Sequence, residues 1–344
     1  MTKTDPPAFR RTAVIGAGAW GTTLAWLTAN QSRPVHLWAR REALARAMRQ
    51  QRENADRLPG AVLSDSVQPT SDLAEALTGA DLVICAVPSE HLREVMDQAR
   101  GHLDPGAVII SATKGLELSS GKRMSQVIAE ATGFDPDRIL ALSGPNLSAE
   151  IVAGMPATSV VAGRVEETVR NCQAFLSTPL FRIYANYDIL GVEICGALKN
   201  VLAIAAGVSD GMGFGANAKA ALLTRGLAEI GRLGTKLGAS RATFWGVAGV
   251  GDILATCNSR LSRNYQVGFR LGRGERIAQI LDTQGAVAEG VPTTAAVRGL
   301  AAQLSVELPI ATVLHQILFE DREPSDAVAE LMRRQWRAEA EAWQ

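Results

Sequence analysis

The sequence predicts an α/β fold: a doubly wound, mostly parallel sheet followed by an all-helical C-terminal domain. Three observations lead there. Up to about residue 190, short apolar runs alternate with segments of helical period, and several runs are apolar throughout, as strands covered on both faces by helices are. Beyond residue 190, helical patterns follow one another with almost no strand candidates. The length of 344 residues suits two domains, each large enough for its own core.

The predicted strands are Thr12–Gly16, Pro34–Trp38, Asp81–Val87, Ala107–Ala112, Arg138–Ser143, Ala157–Ala162 and Leu180–Ala185. Between them, Leu24–Asn30, Glu42–Gln50, Glu90–Arg100 and Arg123–Thr132 carry helical periodicity, and this alternation argues for a doubly wound sheet. In the second half, helices are expected over 192–208, 217–238, 264–272, 293–305, 309–320 and 325–337. Pro292, Pro309 and Pro324 stand near helix starts, where proline is tolerated. The expected domains are residues 1–190 and 191–344.

Composition narrows the class. Lysine plus arginine and aspartate plus glutamate number 35 each, and 47% of residues are hydrophobic, so a disordered chain is excluded. Charge neutrality lacks the basic footprint of a nucleic-acid or anionic-membrane binder. Cys85, Cys172, Cys195 and Cys257 form no CxxC pair, so they read as buried, reduced thiols rather than a zinc site or disulfide framework. The four histidines have no ligand-like partner at close spacing, and no metal is expected. The first residues lack the apolar stretch of a secretory signal. Residues 192–208, interrupted by Glu193 and Lys199, fall short of the ~20 a membrane span needs, and a cytoplasmic location is expected.

The first strand runs into Gly16-Ala17-Gly18-Ala19-Trp20-Gly21 and then a helical stretch. In this G-x-G-x-x-G, Gly16 permits a tight turn, Gly18 lets backbone approach a pyrophosphate, and Gly21 allows close helix–strand packing. The helix N-terminus then offers N–H groups to the anion, which makes the domain Rossmann-like. An enzyme that takes NAD usually offers an acid at the end of the second strand; here Arg40 and Arg41 follow it, with no acid before Glu42. Two guanidiniums suit a 2′-phosphate, so NADP(H) is favoured and NAD(H) stays open.

Lys199 lies in the apolar helical stretch GVEICGALKNVLAIAAG, with Cys195, Gly196, Leu202 and Ala203 at helical spacing. Burial there lowers a lysine pKa towards working pH and would let it exchange a proton with a carbonyl or alcohol oxygen; a lysine reaching to the helix rim is the competing reading. Asp252 stands alone in the glycine-rich stretch 244–257, either as partner to Lys199 or substrate, or as a cap of the next helix. Ser262, Arg263 and Asn264 open a short helix ending at Gly272, either a phosphate receiver or a well-capped surface helix. Lys114 follows one predicted strand, and Gly144, Asn146 and Ser148 follow another, beyond the carboxyl ends where doubly wound sheets bind ligands.

Taken together, GAGAWGTTLA (16–25), 83–88 with 111–116, 142–150, GALKN (196–200), 246–257, 262–264 and VAEGVPTT (287–294) resemble the bacterial type of NAD(P)-dependent glycerol-3-phosphate dehydrogenase. The ordered set spans roughly residues 10–330. The resemblance implies reversible reduction of dihydroxyacetone phosphate to sn-glycerol 3-phosphate, feeding glycerophospholipid biosynthesis, with Lys199 as general acid in reduction and base in oxidation. It implies substrate contacts at Lys114, Gly144, Asn146, Lys199, Asp252, Ser262, Arg263 and Asn264, with Arg263 and Asn264 on the phosphate. Implied cofactor contacts, beyond Gly16, Gly18 and Gly21, are Ala19, Trp20, Arg40, Arg41, Lys114, Ser148, Arg263, Val287 and Glu289. Where many relatives carry Gly-Pro-Ser/Thr-Phe-Ala, this chain has Gly144-Pro145-Asn146-Leu147-Ser148. Two-domain dehydrogenases often pair, so a homodimer is also expected. The rival readings are another lysine-dependent hydroxyacid dehydrogenase and a non-catalytic NADP(H)-sensing protein, which would need the glycine fingerprint but not Lys199.

Overall fold

The computed structural model describes residues 9–29, 33–284, 288–335 and 338. By its internal contacts the chain divides into two compact units, 1–113 with 124–189, and 114–123 with 190–344.

The first unit is built on an eight-stranded sheet. Its strands are β1 (Thr12–Ile15), β2 (Val35–Trp38), β5 (Val67–Thr70), β6 (Leu82–Cys85), β7 (Val108–Ser111), β8 (Ile139–Ser143), β9 (Ala157–Ala162) and β10 (Phe181–Asn186), with β3 (Glu53–Asn54) and β4 (Leu58–Val62) forming a separate hairpin. The spatial order is β10-β9-β8-β7-β6-β1-β2-β5, and only the β8–β9 pair is antiparallel. Strands β1, β6, β7 and β8 are buried along their whole length, which accounts for their unbroken apolar sequences. Helices α1 (Ala19–Ala29), α2 (Glu42–Gln51), α3 (Leu73–Leu77), α4 (Leu92–Ala99), α5 (Met124–Thr132), α6 (Ser148–Val152) and α7 (Glu166–Leu176) complete the unit.

All seven predicted strands are present within two residues at each end. The structure adds β3, β4 and β5, which are not among the expected strands: Leu58–Val62 contains Pro59-Gly60, and Val67–Thr70 contains Pro69. Proline is tolerated in β5 because that strand lies at the sheet edge. Helix α1 begins at Ala19 rather than Leu24, because the glycine turn itself opens it; Asn30, the expected end, lies outside the described residues.

The second unit holds α8 (Ile189–Gly211), α9 (Ala216–Lys236), α10 (Arg241–Phe244), α11 (Asp252–Asn258), α12 (Arg263–Gly272), α13 (Ile277–Gln284), α14 (Gly290–Leu304), α15 (Pro309–Phe319) and α16 (Pro324–Arg333). A single π-turn, Val247–Gly251, precedes α11. Helix α8 runs three residues beyond the predicted stretch at each end; it is long and apolar enough to cross a membrane, but 89% of its apolar window is buried inside the protein, as a core helix is. Expected residues 336 and 337 of the last helix lie outside the described residues. Helices α8 and α12 meet through glycine: a Cβ on Gly268 would lie 1.9 Å from the Ile204 carbonyl oxygen, and one on Gly207 would lie 2.1 Å from that of Tyr265. Only hydrogen at these positions lets the two backbones come so close.

Helix α15 shows how one helix supplies the cap another lacks. Its N-cap is Leu308, which has no polar side chain, so Glu229 on α9 accepts the N–H groups of Ile310 (2.7 Å) and Ala311 (3.3 Å). Burial pushes the Glu229 carboxyl up to about 7 against the opposing pull of these two N–H groups. A folded-state value raised above the unfolded one contributes stability at low pH that is lost as pH rises through about 7. Glu229→Gln, which keeps one acceptor and does not titrate, is therefore expected to escape the wild-type loss between pH ~5 and ~8.5, so that the stability difference moves in its favour by about 1–3 kcal/mol over that range. A thermal-melt difference that does not change with pH would show that Glu229 does not titrate in this range.

Candidate active site

In the α/β unit, Gly16 ends β1 with φ +112°, a conformation that disfavours any side chain, and a Cβ there would lie 2.8 Å from the Ala86 carbonyl oxygen. A Cβ on Gly21 would lie 1.8 Å from the Gly16 oxygen, so helix α1 closes directly on the turn. Gly18 is exposed, with open space where its side chain would be. Ala19 and Trp20 open α1; the Trp20 ring meets Phe181 edge-on at 6.3 Å, and its indole N–H is buried with no acceptor among the described residues.

At the end of β2, Arg40 and Arg41 are exposed, and neither guanidinium has a partner among the described residues. Glu42 is occupied: it accepts from Arg49 at 2.7 Å and from the Ser71 hydroxyl at 2.6 Å, and the Ser71 hydrogen bond, with Arg49, lowers its pKa. The first acid after β2 is thus engaged by Arg49 and Ser71, while Arg40 and Arg41 have no partner among the described residues, an arrangement fitted to a 2′-phosphate rather than to bare ribose hydroxyls. With an open glycine turn beside a helix N-terminus, the residues present fit a nicotinamide dinucleotide carrying that phosphate.

Beyond β8, Gly144 is buried, and Asn146 donates through Nδ2 to the Ser159 hydroxyl (3.1 Å), which donates to the Ser143 carbonyl (3.0 Å). The Asn146 Oδ1 is buried without a partner among the described residues. Ser148 is the first residue of α6 and caps nothing with its side chain.

The helical unit brings together three of the singled-out residues. Asp252 is fully buried and receives two ammonium groups: Lys199 Nζ donates to Oδ1 and Lys114 Nζ to Oδ2, each at 2.6 Å. Lys199 also donates to Thr256 Oγ1 (2.8 Å), whose hydroxyl lies 3.1 Å from Asp252 Oδ1. Lys199 is buried and does not reach the helix rim. Asp252 is the first residue of α11, with Gly251 as N-cap, and its side chain serves the lysines rather than the helix end. Burial pushes the Asp252 carboxyl upward, but the two ammonium groups overcome it and hold the carboxyl below its ordinary value. Burial, with the neighbouring Lys199 charge, brings Lys114 down to about 8 against the attraction of Asp252.

Ser262 caps α12, its hydroxyl accepting the Tyr265 N–H at 3.3 Å. Arg263 is exposed at the helix start, while Asn264 is buried and its Oδ1 accepts the Gly290 N–H at 2.9 Å. A Cβ on Gly290 would also lie 2.7 Å from the Asn200 carbonyl oxygen, so the starts of α12 and α14 converge on the residue after Lys199. Glu289 is the N-cap of α14; Val287 lies outside the described residues. The described residues hold no cluster of three metal-ligating side chains.

Sequence reading missed four participants. Thr256 stands one helical turn after Asp252, a spacing that could have flagged it. The part-buried Arg123–Glu193 ion pair joins segment 114–123 to α8, and neither residue carries a local signal. Asn54, buried beside the glycine turn, lies in a stretch for which the sequence predicts no element.

A glycine turn opening a doubly wound sheet, joined in one chain to a helical unit with a buried lysine on its carboxylate, is the plan of a nicotinamide-dinucleotide dehydrogenase. Family models make this particular: residues 11–169 match the N-terminus and 188–329 the C-terminus of NAD-dependent glycerol-3-phosphate dehydrogenase. The chain belongs to this family. A glycerol-3-phosphate dehydrogenase (NAD(P)+) of Moorella thermoacetica is 47% identical over 322 residues, covering 94% of this chain and 95% of its own. One of Corynebacterium glutamicum is 47% identical over 328 residues, covering 95% and 99%. The crystal structure of glycerol-3-phosphate dehydrogenase from Coxiella burnetii aligns with a TM-score of 0.91 at 35% identity, over 94% of this chain and 99% of that one. A ketopantoate reductase from Ralstonia eutropha, 15% identical with a TM-score of 0.59 over 92% and 99%, shares the fold alone.

Replacing Asp252 by Asn removes the carboxylate on which the buried Lys199 and the part-buried Lys114 ammonium groups meet. Breaking a buried pair in this way costs about 3–5 kcal/mol, so the urea midpoint should fall accordingly. Unchanged stability would remove Asp252 as the group that holds the two lysines.

Proposed function

We propose that this protein reversibly reduces dihydroxyacetone phosphate to sn-glycerol 3-phosphate, with NADP(H) preferred over NAD(H), and so supplies the backbone of glycerophospholipids. The observation that carries the reading is the shared carboxylate: Asp252 holds Lys199 and Lys114 side by side, 2.6 Å from each ammonium. Family membership and the names of the relatives support the substrate. When bound, the reduced nicotinamide supplies hydride to the ketone carbon. Lys199 gives its proton to the ketone oxygen as negative charge develops there, and Asp252 and Thr256 orient its ammonium for that transfer. In the reverse direction Lys199 takes the proton back from the alcohol.

Two ammonium groups on one carboxylate leave the cluster with a net positive charge, favourable to an anionic substrate. Arg263 and Asn264 hold the substrate phosphate at the start of α12, Ser262 presents that start, and binding there orients the small ketone. Gly144 and Asn146 complete the substrate contacts. Gly16, Gly18, Ala19, Trp20 and Gly21 receive the dinucleotide pyrophosphate, Arg40 and Arg41 its 2′-phosphate; Lys114, Ser148, Arg263, Val287 and Glu289 also contact the dinucleotide. Residues 1–190, apart from segment 114–123, which packs within the helical unit, form the dinucleotide-binding domain and 191–344 the catalytic domain.

The same proposal includes a cytoplasmic location and a homodimer. Four free, buried cysteines suit a reducing compartment. A groove of about 670 Å³ between α8, α9, α15 and α16, in which Val208, Leu222, Leu314 and Leu331 stand among charged residues such as Arg225 and Glu307, is the surface proposed for the pairing of two copies.

The test of the reaction is loss of NADPH absorbance on adding dihydroxyacetone phosphate to purified protein, with unphosphorylated dihydroxyacetone as control. Lys199→Met is expected to lower kcat by about 10²–10⁴-fold while NADPH still binds; near-normal turnover would refute the proton-transfer role. Replacing Arg40 and Arg41 together by Ala should weaken NADPH by about 10–100-fold, the range of one or two charge-assisted hydrogen bonds, and leave NADH nearly unchanged. Equal losses for both dinucleotides would refute the 2′-phosphate contact.

A further inference from the structure

We propose that Asn54 is a positioning residue for the dinucleotide site: its buried amide grips the glycine turn and aims a backbone N–H of that turn at the pyrophosphate. The inference rests on the reading of Gly16–Gly21 as the dinucleotide turn. Asn54 comes from β3, and its side chain is completely buried. Through Nδ2 it donates to the Ala17 carbonyl at 3.0 Å and to the Thr22 hydroxyl at 2.7 Å. Its two donors therefore bracket the turn, one on the loop and one on the first turn of α1.

The peptide plane turns this grip into an aim. The Ala17 carbonyl and the Gly18 N–H belong to one rigid planar unit and point in opposite directions. Holding the carbonyl inward on Asn54 directs the Gly18 N–H outward, and Gly18 is exposed with open space at its Cβ position. The donor is thus set in advance towards the side from which a ligand arrives.

The other end of the same side chain marks this as more than packing. Asn54 Oδ1 is buried and no donor reaches it among the described residues. A buried amide kept only for structure is expected to satisfy both ends. Turning the amide over would set its oxygen against the Ala17 oxygen and release the turn, so the orientation is dictated by the turn and the acceptor is left over.

The experiment is calorimetric titration of the purified full chain with NADPH and, separately, with adenosine 2′-monophosphate, which lacks the pyrophosphate. Asn54→Ala is expected to weaken NADPH by about tenfold, the effect of one or two net hydrogen bonds, with adenosine 2′-monophosphate affinity and KM for dihydroxyacetone phosphate at saturating NADPH unchanged. Thr22→Val, which removes one of the two acceptors, should weaken NADPH by about two- to fivefold in the same pattern. If Asn54→Ala does not fold, Thr22→Val decides, and NADPH affinity equal to wild type in that variant overturns the proposal. Equal loss of both ligands in either variant overturns it too, since that is the mark of a general structural role. Wild-type protein that binds no NADPH would instead reject the dinucleotide reading itself, and the inference with it.

Discussion

A carboxylate with no exposure to water, shared by two ammonium groups, is the interaction on which the helical unit is organised. Buried charge is tolerated only when compensated, and here the compensation draws three segments together: 114–123, α8 and α11. The arrangement has one cation in excess. That excess is costly for folding and useful for chemistry, because an anion or a developing alkoxide is what would neutralise it. The depressed Lys114 pKa, about 8, reports the same strain from the other side: burial and a neighbouring ammonium both favour its neutral form.

The surrounding architecture keeps that cluster in place. Helix α8 is apolar enough to be mistaken for a membrane span, yet its three charged residues are each answered, Glu193 by Arg123, Lys199 by Asp252 and Asp210 by Lys219. Glycine-to-backbone packing brings α12 against α8, and Gly290 brings α14 against Asn200 and Asn264. The α/β unit follows a parallel logic on a smaller scale, where Gly16 and Gly21 let strand, turn and helix close on one another and Asn54 ties the turn from outside.

Much of this was legible in local sequence. The seven apolar strands, the glycine fingerprint and the helical texture after residue 190 all report burial or backbone geometry within a few residues of chain. Arg40 and Arg41 were legible for the same reason, since their place is set by the end of β2. Less legible were elements whose sequences carry a conflicting local signal. Strand β5 contains a proline that only an edge position excuses, and β4 contains Pro59-Gly60, which reads as a turn. Asp252 directly precedes a helical stretch, so local rules supported a cap as well as a counter-ion; the lysines decided otherwise.

The sequence alone determined the fold class, the place of the dinucleotide turn and the presence of a lysine in an apolar helix, because periodicity, glycine and side-chain charge act over short spans of chain. Tertiary structure alone decided who pairs with whom. Lys114 and Lys199 meet on Asp252, Glu193 meets Arg123, and Asn54 meets Ala17 and Thr22, across separations of the chain that leave no periodic trace. Each of those choices follows from one requirement, that a polar or charged group withdrawn from water must find its partner wherever the fold brings one within reach.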